Sequence, residues 1–396
     1  MENITMQFNR TVRAVATFLM SCGLGLASAG DLNPPAGPVA PTMKPLSDVE
    51  PRIAVNAQNT PGDATAVHVI SQPGSYYLTG NVSGQSGRNG IVVTASGVTL
   101  DLNGFTVIGA PGALSGVLIT TERVEVRNGV VREWPIHGVH FEQNISNTPG
   151  VLTGVTTRFN SGDGVRATRA VHVIDCVADH NNGSGFRLGN GSMIRRSTAR
   201  TNGEEGIFAT SALVEGCVSR NNTAAGIRVA GVGSRVLDCI AGNNNGVGIL
   251  VGGDTSTVMR STSHDNPGGG ILANTNASGS LIAECTVNYN SQFGISVVSA
   301  QNVTIERCTV HLNQVAQILI SSSGCVIQGN RMRLSGAATN GVSIPAGSNN
   351  LVVQNVVTKT TGAGAGYAIS AGNVVGPIFT GVGTITTTNP WANFER

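Results

Sequence analysis

VTIERCTVHLN, residues 303 to 313, has a counterpart about every 22 residues along the chain. The counterparts are VHVIDCVADHNN from Val171, SMIRRSTARTN from Ser192, ALVEGCVSRNN from Ala212, RVLDCIAGNNN from Arg235, TVMRSTSHDN from Thr257 and LIAECTVNYN from Leu281. Aligned, they place one small residue in register (Cys176, Ser197, Cys217, Cys239, Ser261, Cys285, Cys308) and an asparagine five positions later (Asn181, Asn202, Asn222, Asn244, Asn266, Asn290, Asn313). A third column, glycine followed by an aliphatic residue or Phe, runs from Gly90-Ile91 through Gly185-Phe186 to Gly341-Val342; Gln317-Ile318 fills one slot without glycine. Within each unit apolar and polar residues alternate, as at Val303, Ile305, Cys308 and Val310, which is the period of a strand. Units this short cannot bury their own apolar face, so they must stack and share one core. The pattern predicts an all-β, single-stranded parallel β-helix of about a dozen coils, about 4.8 Å apart. The asparagine column then becomes a ladder of amides bonded coil to coil.

Composition agrees. Of 396 residues 12% are charged and 4% aromatic, with 53 glycines. That balance suits many short strands and tight turns. A formal net charge of +2 gives no bulk affinity for nucleic acid. Arg10 and Arg13, an apolar run from Ala14 and the ASAG ending at Gly30 read as a signal peptide over 1–29, hence a secreted, periplasmic or cell-surface protein. The competing readings are a short transmembrane anchor, for which the run falls short of the ~20 residues a bilayer needs, and a lipoprotein at Cys22, where LMS is a poor lipobox. A proline-rich arm is expected at 30–62, an N-terminal cap at 63–88, the helix at 89–375 and a C-terminal cap at 376–396.

The coil pattern, the openings SYYLTGNVSG and ASGVTLDLNGFTVIG, and the ending GPIF…NPWANF resemble secreted bacterial right-handed parallel β-helix proteins of the pectate-lyase-like superfamily, over roughly residues 65 to 396. That resemblance implies a right-handed coil and a protein acting on polysaccharide as lyase, glycoside hydrolase or epimerase, or serving as a tailspike. The hydrolases of this fold carry NTD, DD, GHG and RIK motifs, none of which occurs here; Gly162-Asp163-Gly164 is the nearest fragment and reads equally well as a tight turn. Calcium-dependent lyases use an acidic cluster with a Lys or Arg base. Lys44 and Lys359 lie outside the central coils and Glu204-Glu205 is the only acidic pair in view, so no metal or cofactor is expected.

The cysteines read as buried core thiols without zinc spacing, and Cys325 fits an inward column below Val303. Cys217/Cys239 and Cys285/Cys308 fall on neighbouring coils, where a disulfide is the alternative, though in-register Cβ vectors point in parallel. The position before the cysteine column (Asp175, Arg196, Gly216, Asp238, Arg260, Glu284, Arg307) alternates in sign from Asp238 onward, as a stack of surface ion pairs would.

Chemistry is expected on an outward ridge of Thr157, Asp179, Arg200, Arg220, Gly242, His264, Asn288 and His311, with Arg158, His180, Thr201, Asn221, Asn243, Asp265, Tyr289 and Leu312 beside it. A second basic line holds Arg166, Arg187 and Arg228. Arginine forks suit carboxylates and sulfates, so the expected partner is an acidic polysaccharide. Elimination on a uronate needs a group on the carboxylate, a base and an acid. One set is Arg200 and Arg220 with His180 as base; the other is Asn288 with His264 or His311 as base and Tyr289 as acid. Arg158, Arg166, Arg187, Arg228, Asp179 and Asn288 would line the polymer. The alternative is a non-catalytic envelope β-helix used for adhesion or as scaffold. Trp134, His137 and His140 in REWPIHGVHF interrupt a coil and read as a packing loop or as the border of a cleft.

Overall fold

The computed structural model describes residues 52–142, 149–334, 339–360, 362–381 and 383–396. The signal peptide expected at 1–29, with Cys22, and most of the 30–62 arm lie outside them. All regular structure among the described residues is strand. One sheet has fourteen strands, from Ala66–Ile70 to Tyr367–Ile369, so the coils number fourteen. The other sheet has 28 strands and holds two strands from each central coil. Neighbours pair in parallel and in register: Thr304–Glu306 lies between Leu281–Ala283 and Val326–Gln328, and Thr309–His311 between Thr286–Asn288 and Arg331–Leu334. The sheet begins ahead of Asp63, because Ile53–Val55 pairs with Tyr76–Leu78. At the other end Asn393–Glu395 stacks on Val356–Lys359.

The strands are three residues long because single residues in the left-handed region turn the chain between them. Asp175, Arg196, Asp238, Arg260, Glu284 and Arg307 all have φ between 47° and 56°. These corners carry the expected charge stack: Arg196 grips Asp175 at 2.8 and 2.9 Å, Arg260 grips Asp238 at 2.8 Å through both nitrogens, and Arg307 reaches Glu284 at 3.4 Å.

The asparagine ladder is longer than the sequence pattern suggested and has two defined ends. Asn160 Nδ2 donates to Asn181 Oδ1 at 2.8 Å, and the chain of amides continues coil by coil to Asn313, whose Nδ2 donates to Gln317 Oε1 at 2.8 Å. The ladder explains the glycine column. A Cβ on Gly206 or Gly226 would lie 2.5 Å from the Nδ2 of Asn222 or Asn244, so the amide and a side chain cannot share the space. Gln317 is the informative exception: it stands in the glycine slot where the ladder stops, and its own amide closes it. At the opposite end Trp134 occupies the ladder position, its backbone N donating to Asn160 Oδ1 at 3.0 Å.

The six described cysteines are free and at most 1% exposed. Cys217 and Cys239 sit on adjacent coils, and the Cys217 backbone N approaches Cys239 Sγ at 3.5 Å. Burial pushes the Cys176 thiol up to about 11, against formation of the reactive thiolate. Native protein should therefore leave these six unmodified by a chromogenic thiol reagent, and unfolding in denaturant should expose all six; rapid reaction of any of them in the native state would contradict the packing.

Candidate functional site

The register places the ridge at the ends of the strands that precede the second corner. Arg132, Arg158, Asp179, Arg200, Arg220, Gly242, His264, Asn288, His311 and Arg333 follow one another on successive coils. This corrects the sequence alignment by one residue at its start. Thr157 points inward and is fully buried, Arg158 takes the ridge position beside Asp179, and Phe159 rather than Arg158 stands next to His180. The flanking column of Phe159, His180, Thr201, Asn221, Asn243, Asp265, Tyr289 and Leu312 has φ between 53° and 60° throughout. Asn, Asp and His tolerate that conformation, whereas Phe, Thr, Tyr and Leu adopt it only where the surrounding coil imposes it. The turn thereby holds the His180 and Tyr289 side chains out from the rod.

In the first half of the ridge one carboxylate organises two neighbours. Asp179 is 8% exposed. Arg200 approaches it with Nε at 3.0 Å from Oδ1 and Nη2 at 3.1 Å from Oδ2, and His180 Nδ1 lies 2.7 Å from Oδ1. With Nδ1–H donating to the carboxylate, the His180 Nε2 lone pair faces outward. The His180 ring packs 5.3 Å from Phe159, and the Arg158 guanidinium lies 6.0 Å from the same ring. Arg220 follows Arg200 on the next coil, is exposed, and has no acid paired with it among the described residues. Beside this cluster Phe159, His180, Thr201, Asn221, Asn182 and Gly203 line a shallow open depression of about 270 Å³.

The second half holds the other predicted set, which comes together only in part. Asn288 Nδ2 lies 3.4 Å from His311 Nε2, and the Tyr289 and His311 rings meet edge to face at 6.1 Å. Burial, reinforced by the Arg333 charge, holds His311 below the ordinary imidazole value and favours its neutral form. His264 is not part of that group; its Nδ1 is held by Asp265 Oδ2 at 2.7 Å.

The second basic line does not join the ridge. Arg166, Arg187 and Arg228 lie on the fourteen-stranded sheet, on a column that also holds His140 and Phe208. Each has a carboxylate that the alignment did not pair with it: Arg166 with Asp163 at 3.0 Å, Arg187 with Glu204 at 3.4 Å and Arg228 with Glu205 at 3.0 Å. Arg187 and Arg228 also sandwich the Phe208 ring, at 4.9 and 5.2 Å. Together these ion pairs form a seam along the sheet. Asp163 of the GDG fragment belongs to this seam and accepts the Ser184 N–H at 2.9 Å. His137 packs on the same turn, its Nδ1 accepting the Asp163 N–H at 3.0 Å, and burial pushes its pKa down to about 4. Trp134 is fully buried. Among the described residues no group of three or more His, Cys, Asp or Glu is arranged to hold a metal ion, and no helix is long and apolar enough to cross a membrane.

The family description "right handed beta helix region" matches residues 115–262 and 248–389. No curated protein matches the sequence. Among solved structures, the A-module of the mannuronan C-5 epimerase AlgE4 from Azotobacter vinelandii is 14% identical, with 82% of this chain and 86% of that chain covered and a TM-score of 0.42. The catalytic unit of a thermostable GH87 α-1,3-glucanase from Streptomyces thermodiastaticus is 14% identical over 81% of this chain and 69% of that chain, with a TM-score of 0.43. The periplasmic alginate epimerase AlgG is 13% identical over 86% and 80%, with a TM-score of 0.35. None of the three overlaps closely enough to carry residue roles from one chain to the other.

Proposed function

The chain belongs to the right-handed β-helix family, and from that premise we propose that it is an exported protein that binds an anionic polysaccharide along the ridge from Arg158 to His311. The observation that carries this reading is Arg220. Whereas the neighbouring Arg200 is tied to Asp179, Arg220 is exposed and has no acid partner among the described residues, one coil from Arg200 and two from the Asp179–His180 pair. A guanidinium free of internal acids has its fork available for a ligand carboxylate or sulfate. The rod repeats every ~4.8 Å, so a polymer lying along it meets a regular series of side chains.

His180 adds a chemical capacity. An imidazole whose Nδ1 is oriented by a buried carboxylate presents Nε2 as a base, and Arg220, two coils along the ridge, suits the carboxylate of a uronate whose neighbouring carbon loses a proton. The shallowness of the depression favours binding as the primary activity, with eliminative cleavage as the reaction these residues could add.

The expected result is that purified protein binds oligouronates with an affinity that falls as salt rises. Arg220→Ala should weaken it about tenfold to hundredfold, the range for one charge-assisted contact. Arg196→Ala, at the ion-paired corner, serves as control and should leave binding unchanged. Titration calorimetry reads the affinity, and ultraviolet absorbance of an unsaturated uronate reads cleavage. Equal affinity in the Arg220 variant and the wild type would remove the proposed anchor.

A further inference from the structure

Gly242 leaves the ridge without a side chain on the coil between Arg220 and His264. Its φ is not in the left-handed region, so the backbone does not require glycine there. What requires it is His264. A Cβ on Gly242 would lie 2.5 Å from both Cε1 and Nε2 of that imidazole, so the ring folds back from its own coil and covers the Gly242 backbone. The ring therefore fills the space that a side chain at position 242 would take, on the coil next to Arg220. Asp265 fixes it there through Nδ1 at 2.7 Å, and the His264 side chain is only 22% exposed.

We infer that Arg220 and His264, brought together by Gly242, form a recognition site for a single sugar residue bearing both a carboxylate and a free hydroxyl. The assignment rests on the anionic-polysaccharide reading above and narrows it. Arg220 is a donor with no acid partner among the described residues. His264, with Nδ1–H given to Asp265, offers Nε2 as an acceptor. An anion alone has no hydrogen to give that lone pair; a hydroxyl does. A donor for a carboxylate and an acceptor for a hydroxyl, carried by strands two coils apart with the imidazole leaning back over the intervening Gly242, match the two kinds of group on one pyranuronate ring. Gly242 and Asp265 are positioning residues in this account, since neither need touch the ligand.

The test compares an oligogalacturonate with its O-acetylated form, whose hydroxyls are blocked, by titration calorimetry. Wild-type protein should prefer the free form by about fivefold to tenfold, the worth of one hydrogen bond. His264→Ala should abolish the preference, and His264→Gln, whose amide oxygen accepts, should restore part of it. Gly242→Ala should behave as His264→Ala with an unchanged circular dichroism spectrum, because it displaces the ring and leaves the coil. Arg220→Ala should weaken both ligands alike. If the preference survives in His264→Ala, the site assignment is wrong, whereas a loss in Arg220→Ala would still support the anionic-polysaccharide reading. If neither ligand binds the wild type, both readings fail together. A ligand-free check is the nuclear Overhauser contact between the Gly242 Hα protons and the His264 ring, whose absence would also overturn the inference.

Discussion

Trp134→Ala is expected to destabilise the N-terminal coils by about 3 to 5 kcal/mol, the usual cost of deleting a large buried aromatic. Trp134 is fully buried. It stands in the channel that amides fill further along, where Gly84, Gly90 and Gly116 leave room for an indole: a Cβ on any of them would come within 2.8 to 2.9 Å of its ring atoms. Its Nε1 donates to the Val107 carbonyl at 3.1 Å, so truncation orphans a buried acceptor as well as opening a cavity. Glycines have no side chains with which to close that space. Because a solenoid's coils contact only their neighbours, the loss should be local. Hydrogen exchange should show reduced protection in the strands from Asn89 to Arg132, with Thr257 to Gln328 little changed, while denaturant unfolding reads the total. A loss below ~1 kcal/mol would mean that the channel is not packed as described.

The same channel shows why the fold was legible in the sequence and the site was not. Repetition multiplied weak signals: one Asn or one Gly says little, but seven asparagines in register specify a ladder, and the glycines beside them mark its neighbouring wall. The ladder's ends were harder to see because each occurs once. Trp134 read as an interruption, although it occupies the ladder position one coil before Asn160; the spacing from Trp134 to Asn160 is the signal that could have found it. The misplacement of Thr157 has a related cause. Its coil has Val155 where later coils have Cys or Ser and Gly154 at the corner, so the alignment had no polar anchor. The acids of Arg187 and Arg228 were missed because cross-coil pairs such as Arg228 with Glu205 are 23 residues apart and have no local pattern, whereas Asp163, three residues from Arg166, was read only as part of a tight turn. Gly242 illustrates the limit most sharply. As a letter it is one of 53 glycines, and only the His264 ring lying over it separates a functional gap from a turn.

Asn244→Ala should cost about 3 to 5 kcal/mol, as several buried groups lose partners together. Asn244 is fully buried in mid-ladder. Its Oδ1 accepts the Asn222 backbone N–H at 3.1 Å and Nδ2–H at 2.9 Å, while its Nδ2 donates to Asn266 Oδ1 and to Ser219 O, both at 3.1 Å. Alanine removes the amide and leaves two donors on one side and the Ser219 carbonyl on the other. Asn244→Asp separates the loss of packing from the loss of the donor, since it keeps the shape and the acceptor. An ionised carboxylate there would face Asn266 Oδ1 and the Ser219 carbonyl, so both burial and its neighbours favour the protonated acid, whose O–H can replace the missing donor. The folded pKa of the introduced carboxyl must then lie above the unfolded value of about 4. A raised folded pKa means that the folded state binds the proton more tightly. The variant should therefore gain stability relative to wild type as pH falls toward ~4, and lose it as pH rises through its folded pKa. Denaturant midpoints of the two proteins measured in parallel between mildly acidic and neutral pH read the difference. A difference that stays constant with pH would show that Asn244 does not act as a donor inside the ladder, and the account of what holds the coils in register would have to change.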